Sequence, residues 1–240
     1  MRHLFPLLLF TLAFSIARCQ DHQTMKKTLS RHLREVFDVW KTDWKQKDGK
    51  YVVLNDAGNQ VVKGTYSNGK KCGTWCYFND AGLVVQKYDF DHDSLLYAAP
   101  DSATFIHTEY QIPQGADETD KVQRPYKIGG PEFGFFLLYD ERDIPTTVKG
   151  QTNTAQLTYI FTVSEKGTLE DYSITIAGGT INDMVIHKSV RGLPQDAYAF
   201  SPAILNGHPV RSKLAFTVPL NVSHVDMPGT NNIVTQHPAN

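Results

Sequence analysis

The chain is poor in cysteine, in excess charge of either sign and in long apolar runs, and each shortage removes a class of protein. Three cysteines in 240 residues are too few for a disulfide framework. Lys and Arg total 24 against 25 Asp and Glu, so the sequence offers no basic surface for nucleic acid or anionic lipid. The longest apolar run, Leu4 to Ile16, is interrupted by Pro6 and falls short of the roughly twenty residues a helix needs to cross a bilayer. There is no Gly-x-Ser-x-Gly elbow, no phosphate-cradling glycine pattern and no His-x3-His pair. The nine histidines are scattered, and His187 sits beside Lys188 and near Arg191, where a solvated role is ordinary. The expectation is a non-enzyme without cofactor or metal. What is present is a globular composition, 41% hydrophobic and 20% charged, able to bury a core unaided.

The first nineteen residues read as an export signal. Arg2 and His3 precede the apolar run, and Ala17 and Cys19 are small at the two positions a signal peptidase reads before Gln20. Cleavage after Cys19 is expected, placing the protein in the periplasm or at the outer membrane. Lipidation of Cys19 is disfavoured by Arg18 before it, and retention of the segment as an anchor by its length. The mature chain then keeps Cys72 and Cys76. In one straight strand their Cα atoms would lie about 13 Å apart, beyond the limit of about 7 Å for a disulfide, so two free thiols on one strand face are expected.

Shifting the sequence by 24 residues lays Tyr51-Val-Val-Leu-Asn-Asp-Ala-Gly58 over Trp75-Cys-Tyr-Phe-Asn-Asp-Ala-Gly82. Val61 then falls over Val85, Lys63 over Lys87 and Tyr66 over Phe90. A fixed period of this kind marks stacked supersecondary units. Alternating stretches broken at Asn55–Gly58, Asn68-Gly69 and Asn79–Gly82 predict hairpins, and hence a β-meander from about Glu35 to Tyr97. With its glycine followed by spaced aromatics, Gly73-Thr-Trp75-Cys-Tyr77 resembles the MORN-type repeat, which implies an architecture rather than an activity. Asp89, Asp91 and Asp93 do not make a calcium loop, because Ser94 stands at the sixth position and Pro100 at the twelfth. They read as a solvated face.

Residues 99–125 mix proline, threonine and acids without periodicity and read as a linker. Beyond it, Phe133 to Tyr139 predicts a helix, and Leu157 to Val163 a half-buried strand that turns at Ser164–Gly167. The returning strand carries Tyr172, Ile174 and Ile176 on one face. Leu169 is out of phase with them, which predicts a bulge near Glu170-Asp171. Thr180 and Asp183 suggest a helix start, with Ile186, Val190 and Leu193 on one face until Pro194. Lys213 to Asn221 alternates as a third strand, and Pro219, which cannot donate to a ladder, favours a sheet edge.

This order of elements, with Gly167-Thr168, the Pro202-Ala-Ile-Leu-Asn-Gly-His-Pro209 stretch and the closing Val-Pro-Leu-Asn-Val222, resembles a TonB C-terminal domain over residues 128–222. Ile144-Pro145 stands where that family often has Tyr-Pro. The resemblance implies a domain that binds an extended segment of an outer-membrane receptor by strand addition to its last strand, linked to transmembrane transport. Carried onto this chain, Arg211, Lys213, Leu214, Ala215, Phe216, Thr217 and Val218 would be the partner-binding residues. The chain departs from a force transducer in having a cleavable signal and a β-repeat region in place of a retained anchor and a Pro-rich spacer.

The expected fold class is therefore α+β: a MORN-like meander over 35–98, the linker, and at 126–224 a TonB-type domain of a three-stranded antiparallel sheet with two helices. Residues 1–19 form the signal and 225–240 a polar tail. The alternative function is a structural or interaction module of the cell envelope with no transport role.

Overall fold

A computed structural model describes residues 21–112, 119–146, 148, 154–178 and 181–221; the expected signal and the expected tail lie outside them. The first seven strands are β1 (His22–Thr28), β2 (Leu33–Trp40), β3 (Asp43–Asn55), β4 (Gln60–Ser67), β5 (Lys70–Phe78), β6 (Val84–Asp89) and β7 (Ser94–Ala98). They hydrogen-bond in chain order as one antiparallel meander.

Its turns follow from their residues. In both Asn-Asp-Ala-Gly copies the asparagine Oδ1 accepts a backbone N–H four residues on, at 2.9 Å from Asn59 and 2.9 Å from Leu83. Each closing glycine takes a positive φ, 82° at Gly58 and 75° at Gly82, which costs glycine little. The copies also touch, because Asn55 Nδ2 donates to Asp80 Oδ1 at 3.2 Å.

A second repeated device is a bulge. On β3, residues 48–50 oppose Asp38 alone, since Tyr51 pairs with Phe37 and Lys47 with Val39. On β5, residues 73–75 oppose Gly64 alone, since Cys76 pairs with Lys63 and Cys72 with Thr65. Each bulge contains a glycine at positive φ, Gly49 or Gly73, and each turns a lysine and an aromatic four residues later toward the core. Trp75 is fully buried, and a Cβ on Gly64 would stand 2.2 Å from its indole. Only glycine fits there.

The remaining strands are β8 (His107–Gln111), β9 (Val122–Gln123), β10 (Tyr126–Lys127), β11 (Thr154–Val163), β12 (Leu169–Gly178), β13 (Ile181–Lys188), β14 (Phe200–Ser201), β15 (Ala203–Leu205), β16 (His208–Val210) and β17 (Ser212–Asn221). A five-stranded sheet runs in the order β13-β12-β11-β17-β8, while β16-β15-β9 and β10-β14 form small ribbons. Helix α1 (Gly130–Leu138) is apolar on nearly every side and is buried between the sheets. Phe133 stacks near Tyr77 of the meander at 5.6 Å and Phe135 meets Tyr159 of β11 at 5.4 Å, so both sheets share one hydrophobic core. Among the described residues no helix is long and apolar enough to cross a membrane.

The α+β expectation is corrected on both counts. The second sheet has five antiparallel strands rather than three, and α1 is the one α-helix among the described residues, so the molecule is mostly β. Residues 181–188, expected to be helical, form β13. Met184 and Ile186 lie two apart and pair with Ile176 and Ile174, so their side chains extend a buried row of the sheet, and Val185 points outward. Thr180 of the expected helix start lies outside the described residues. The fifth strand, β8, comes from the 99–125 segment. On β12, Asp171 pairs with Thr162 and Leu169 with Val163, leaving Glu170 as the extra residue of a bulge.

Candidate functional site

The partner-binding residues expected from the sequence lie on or just before β17. Along this strand Leu214, Phe216 and Val218 are buried, whereas Lys213, Ala215 and Thr217 face the open side of the sheet. Arg211 precedes the strand, and its Nε donates to Glu170 Oε2 at 2.7 Å. One edge of β17 is paired with β11 from Ser212 to Asn221. The other carries β8, whose Gln111 to His107 pair with Lys213 to Thr217. Over 213–217 the strand is therefore flanked on both sides. Pro219 lies past the end of β8, where β17 has β11 as its neighbour in the sheet, so its missing N–H leaves no gap in the β8 ladder.

In β8, His107, Glu109, Tyr110 and Gln111 are exposed; Thr108 and Tyr110 lie on its inward face, opposite Phe216 and Leu214, and the preceding Ile106 is buried. The Thr108 hydroxyl is buried, and no described group hydrogen-bonds it, an arrangement that costs about 1–3 kcal/mol. Behind it lies a cavity of about 120 Å³ bordered by Leu214, Phe216, Val85, Tyr126 and Pro131. Nothing in the sequence marks this strand, because His107–Gln111 contains no aliphatic side chain.

A polar seam joins the meander to the second sheet. Lys71, from the β5 bulge, donates to Asp196 Oδ1 at 2.6 Å, with its ammonium 4.2 Å from the Trp75 ring centroid and 4.8 Å from that of Phe90. Lys47, from the β3 bulge, repeats the device: it pairs with Glu35 and lies 4.7 Å from the rings of Phe37 and Tyr51. The Tyr51 hydroxyl donates to the same Glu35 oxygen at 3.0 Å. Burial pushes the Asp196 carboxyl up, but the Lys71 ammonium outweighs it and holds the group below the usual carboxylate range. Lys127 is buried with its ammonium donating to the carbonyls of Asp196, Ala199 and Ile128 at 2.6, 2.7 and 3.1 Å. Burial lowers its pKa to about 7. The Gln86 amide completes the seam, donating to Lys127 O at 3.1 Å and accepting from Gly129 N–H at 2.5 Å.

A cleft of about 330 Å³ opens over this seam, lined by Glu35, Lys47, Tyr51, Tyr66, Pro194 and Asp196. Of its lining charges, Glu35 pairs with Lys47 and Asp196 with Lys71. Asp89, Asp91 and Asp93 hold a turn: Asp89 accepts from the Asp91 N–H at 2.9 Å and contacts His92 Nδ1 at 2.8 Å, and Asp93 accepts from the Tyr88 hydroxyl at 2.5 Å. No group of three or more potential ligands stands together among the described residues. Cys72 and Cys76 are free thiols. They share the outer face of β5, and burial pushes the Cys72 thiol up. Comparison with protein-family models, with characterised proteins and with solved structures finds no match for this chain.

Proposed function

We propose that this chain is a non-enzymatic, exported interaction protein of the cell envelope whose five-stranded sheet takes up an extended protein segment by strand addition at β17. The observation that carries the reading is the asymmetry of that strand. One edge is locked to β11 along its whole length and its inward side chains are sunk in the core, while the other edge is covered over 213–217 by the five-residue β8, four of whose side chains are exposed. A rigid strand with a lightly covered edge supplies backbone hydrogen bonds for affinity and alternating side-chain positions for selectivity. The transport role implied by the sequence resemblance requires the segment to come from an outer-membrane receptor; the alternative of an envelope interaction module requires no such source. Titrating the full chain with extended peptides from envelope receptors tests the first. Saturable binding that perturbs the backbone amides of β17 is expected, and amide shifts confined to the meander would refute it.

A further inference from the structure

We propose that β8 is an internal stand-in for the partner strand, exchanged for it on binding, and that the partner carries a large aliphatic residue where β8 carries Thr108. The inference rests on the strand-addition reading and gives it a mechanism and a selectivity.

Three observations converge on β8. It occupies the lane on β17 that an added strand would need, in antiparallel register with His107 opposite Thr217 and Gln111 opposite Lys213. Within the strand four of its five side chains are exposed, and its deepest anchor is Ile106, one residue outside the paired segment. Finally, its most buried residue is mismatched to its surroundings: the Thr108 hydroxyl has no partner among the described residues and adjoins a cavity of about 120 Å³ walled by Leu214, Phe216 and Val85, with Gln86, Thr104 and Lys127 at its polar side. Leucine or isoleucine, with two more carbons than threonine and no hydroxyl, would fill part of that space and remove the orphan group. An incoming strand with leucine or isoleucine at this position therefore outcompetes β8 for the same backbone hydrogen bonds. Its neighbouring residues lie beside Lys213, Ala215 and Thr217 on the open face and are free to be polar.

The other free edges differ. β1 carries Lys26 and Lys27, β13 carries Asp183 and Lys188, and β7 is bulged at Leu96, where Tyr97 pairs with Lys87 and Leu95 with Tyr88. Charges and bulges are the usual devices that discourage pairing at an edge. The outer edge of β8 itself carries His107 and Glu109; the β17 lane differs from all of these in being backed by buried Leu214 and Phe216.

The test uses two synthetic peptides of residues 105–112, one native and one with Thr108→Leu, titrated against the full chain. The leucine peptide is expected to bind about tenfold more tightly, as burial of two extra carbons predicts. A second measurement locks β8 in place: in a Cys72→Ser/Cys76→Ser background, Glu109→Cys with Ala215→Cys faces two thiols across a pair close enough to bridge. Oxidised with a small-molecule disulfide, this protein should bind the leucine peptide at least tenfold more weakly than the same protein after reduction. Equal binding in the two states would overturn the exchange mechanism and leave strand addition at another edge standing. Absence of binding by either peptide to the reduced protein, at concentrations that saturate no site, would overturn strand addition at β17 itself.

Discussion

Gly64 and Glu132 show how single positions constrain the molecule in opposite ways. The Trp75 indole lies where a Gly64 side chain would begin, so Gly64→Ala forces the ring or the strand to move. A loss of about 1–3 kcal/mol is expected, measurable by urea denaturation, with the Trp75 fluorescence shifted toward that of an exposed indole. Glu132 is buried on α1, and burial pushes its carboxyl up to about 7 against opposing hydrogen bonds that include one from Thr104. The native state then holds a proton that the unfolded chain releases near pH 4.5, so stability falls as pH rises from about 4.5 through 7. Glu132→Gln should remove that fall and be more stable than the parent by about 1–3 kcal/mol at pH 8. At pH 4 the two should be nearly equal, and parallel denaturation curves at both pH values would show it. Neither effect is legible in the sequence, because a glycine in a strand and a glutamate in an apolar helix announce a special environment without saying which.

At the level of elements, some signals were sufficient and others were tied. Asn55–Gly58 and Asn79–Gly82 could be placed as turns because their chemistry is local: the asparagine side chain and the positive-φ glycine close the loop without help from elsewhere. The bulge at Glu170 was visible because Leu169 and Tyr172 must both face inward. Residues 181–193 carried two periods at once. Ile186, Val190 and Leu193 fit a helix, while Met184, Ile186 and Lys188 fit a strand, and the partner that decides is Tyr172–Ile176 on β12, which local reading does not weigh. The strand makes a sharp statement that a helix would not. Met184 packs toward the core and Val185 faces out, so Met184→Lys should cost about 1–3 kcal/mol and Val185→Lys less than about 0.5 kcal/mol. Comparable losses from the two substitutions in thermal denaturation would contradict the register. The lysine positions Lys47 and Lys71 were also within reach of the sequence, since Lys-x-Gly-x-aromatic recurs at the 24-residue period. What the sequence does not carry is that each lysine finds a carboxylate outside its own strand, Lys47 on the neighbouring β2 and Lys71 in the loop at Asp196.

For the whole molecule, the seam decides whether two sheets behave as one body. Lys71 and Asp196 are both largely buried, and removing one member of such a pair leaves a charge without a counterion. Asp196→Ala is therefore expected to destabilise by about 3–5 kcal/mol, whereas Lys71→Met combined with Asp196→Leu should recover most of that loss, as a double-mutant comparison would reveal. Because Phe133 and Phe135 of α1 touch both sheets, the intact chain should unfold in one urea transition, with tryptophan fluorescence and far-ultraviolet dichroism superimposing. A second contact reinforces the joint: Ser30 Oγ donates to Phe136 O at 2.7 Å, and His32 lies between Asp56 Oδ2 at 2.7 Å and Glu141 Oε2 at 3.1 Å. None of these distant pairings follows from composition or spacing, since they depend on which loops the topology brings together.

The Asn-Asp-Ala-Gly turns have a consequence for how such a chain can vary. Each 24-residue unit closes its own turn and turns its own bulge lysine and aromatic inward, and it meets the next through the β4–β5 ladder and the turn contact from Asn55 to Asp80. A copy inserted between Gly58 and Asn79 would add two strands and widen the sheet by about 9–10 Å without altering the five-stranded sheet or the lane beside β17. The meander is thus a ruler, and its number of marks is set by duplication of a short stretch of chain.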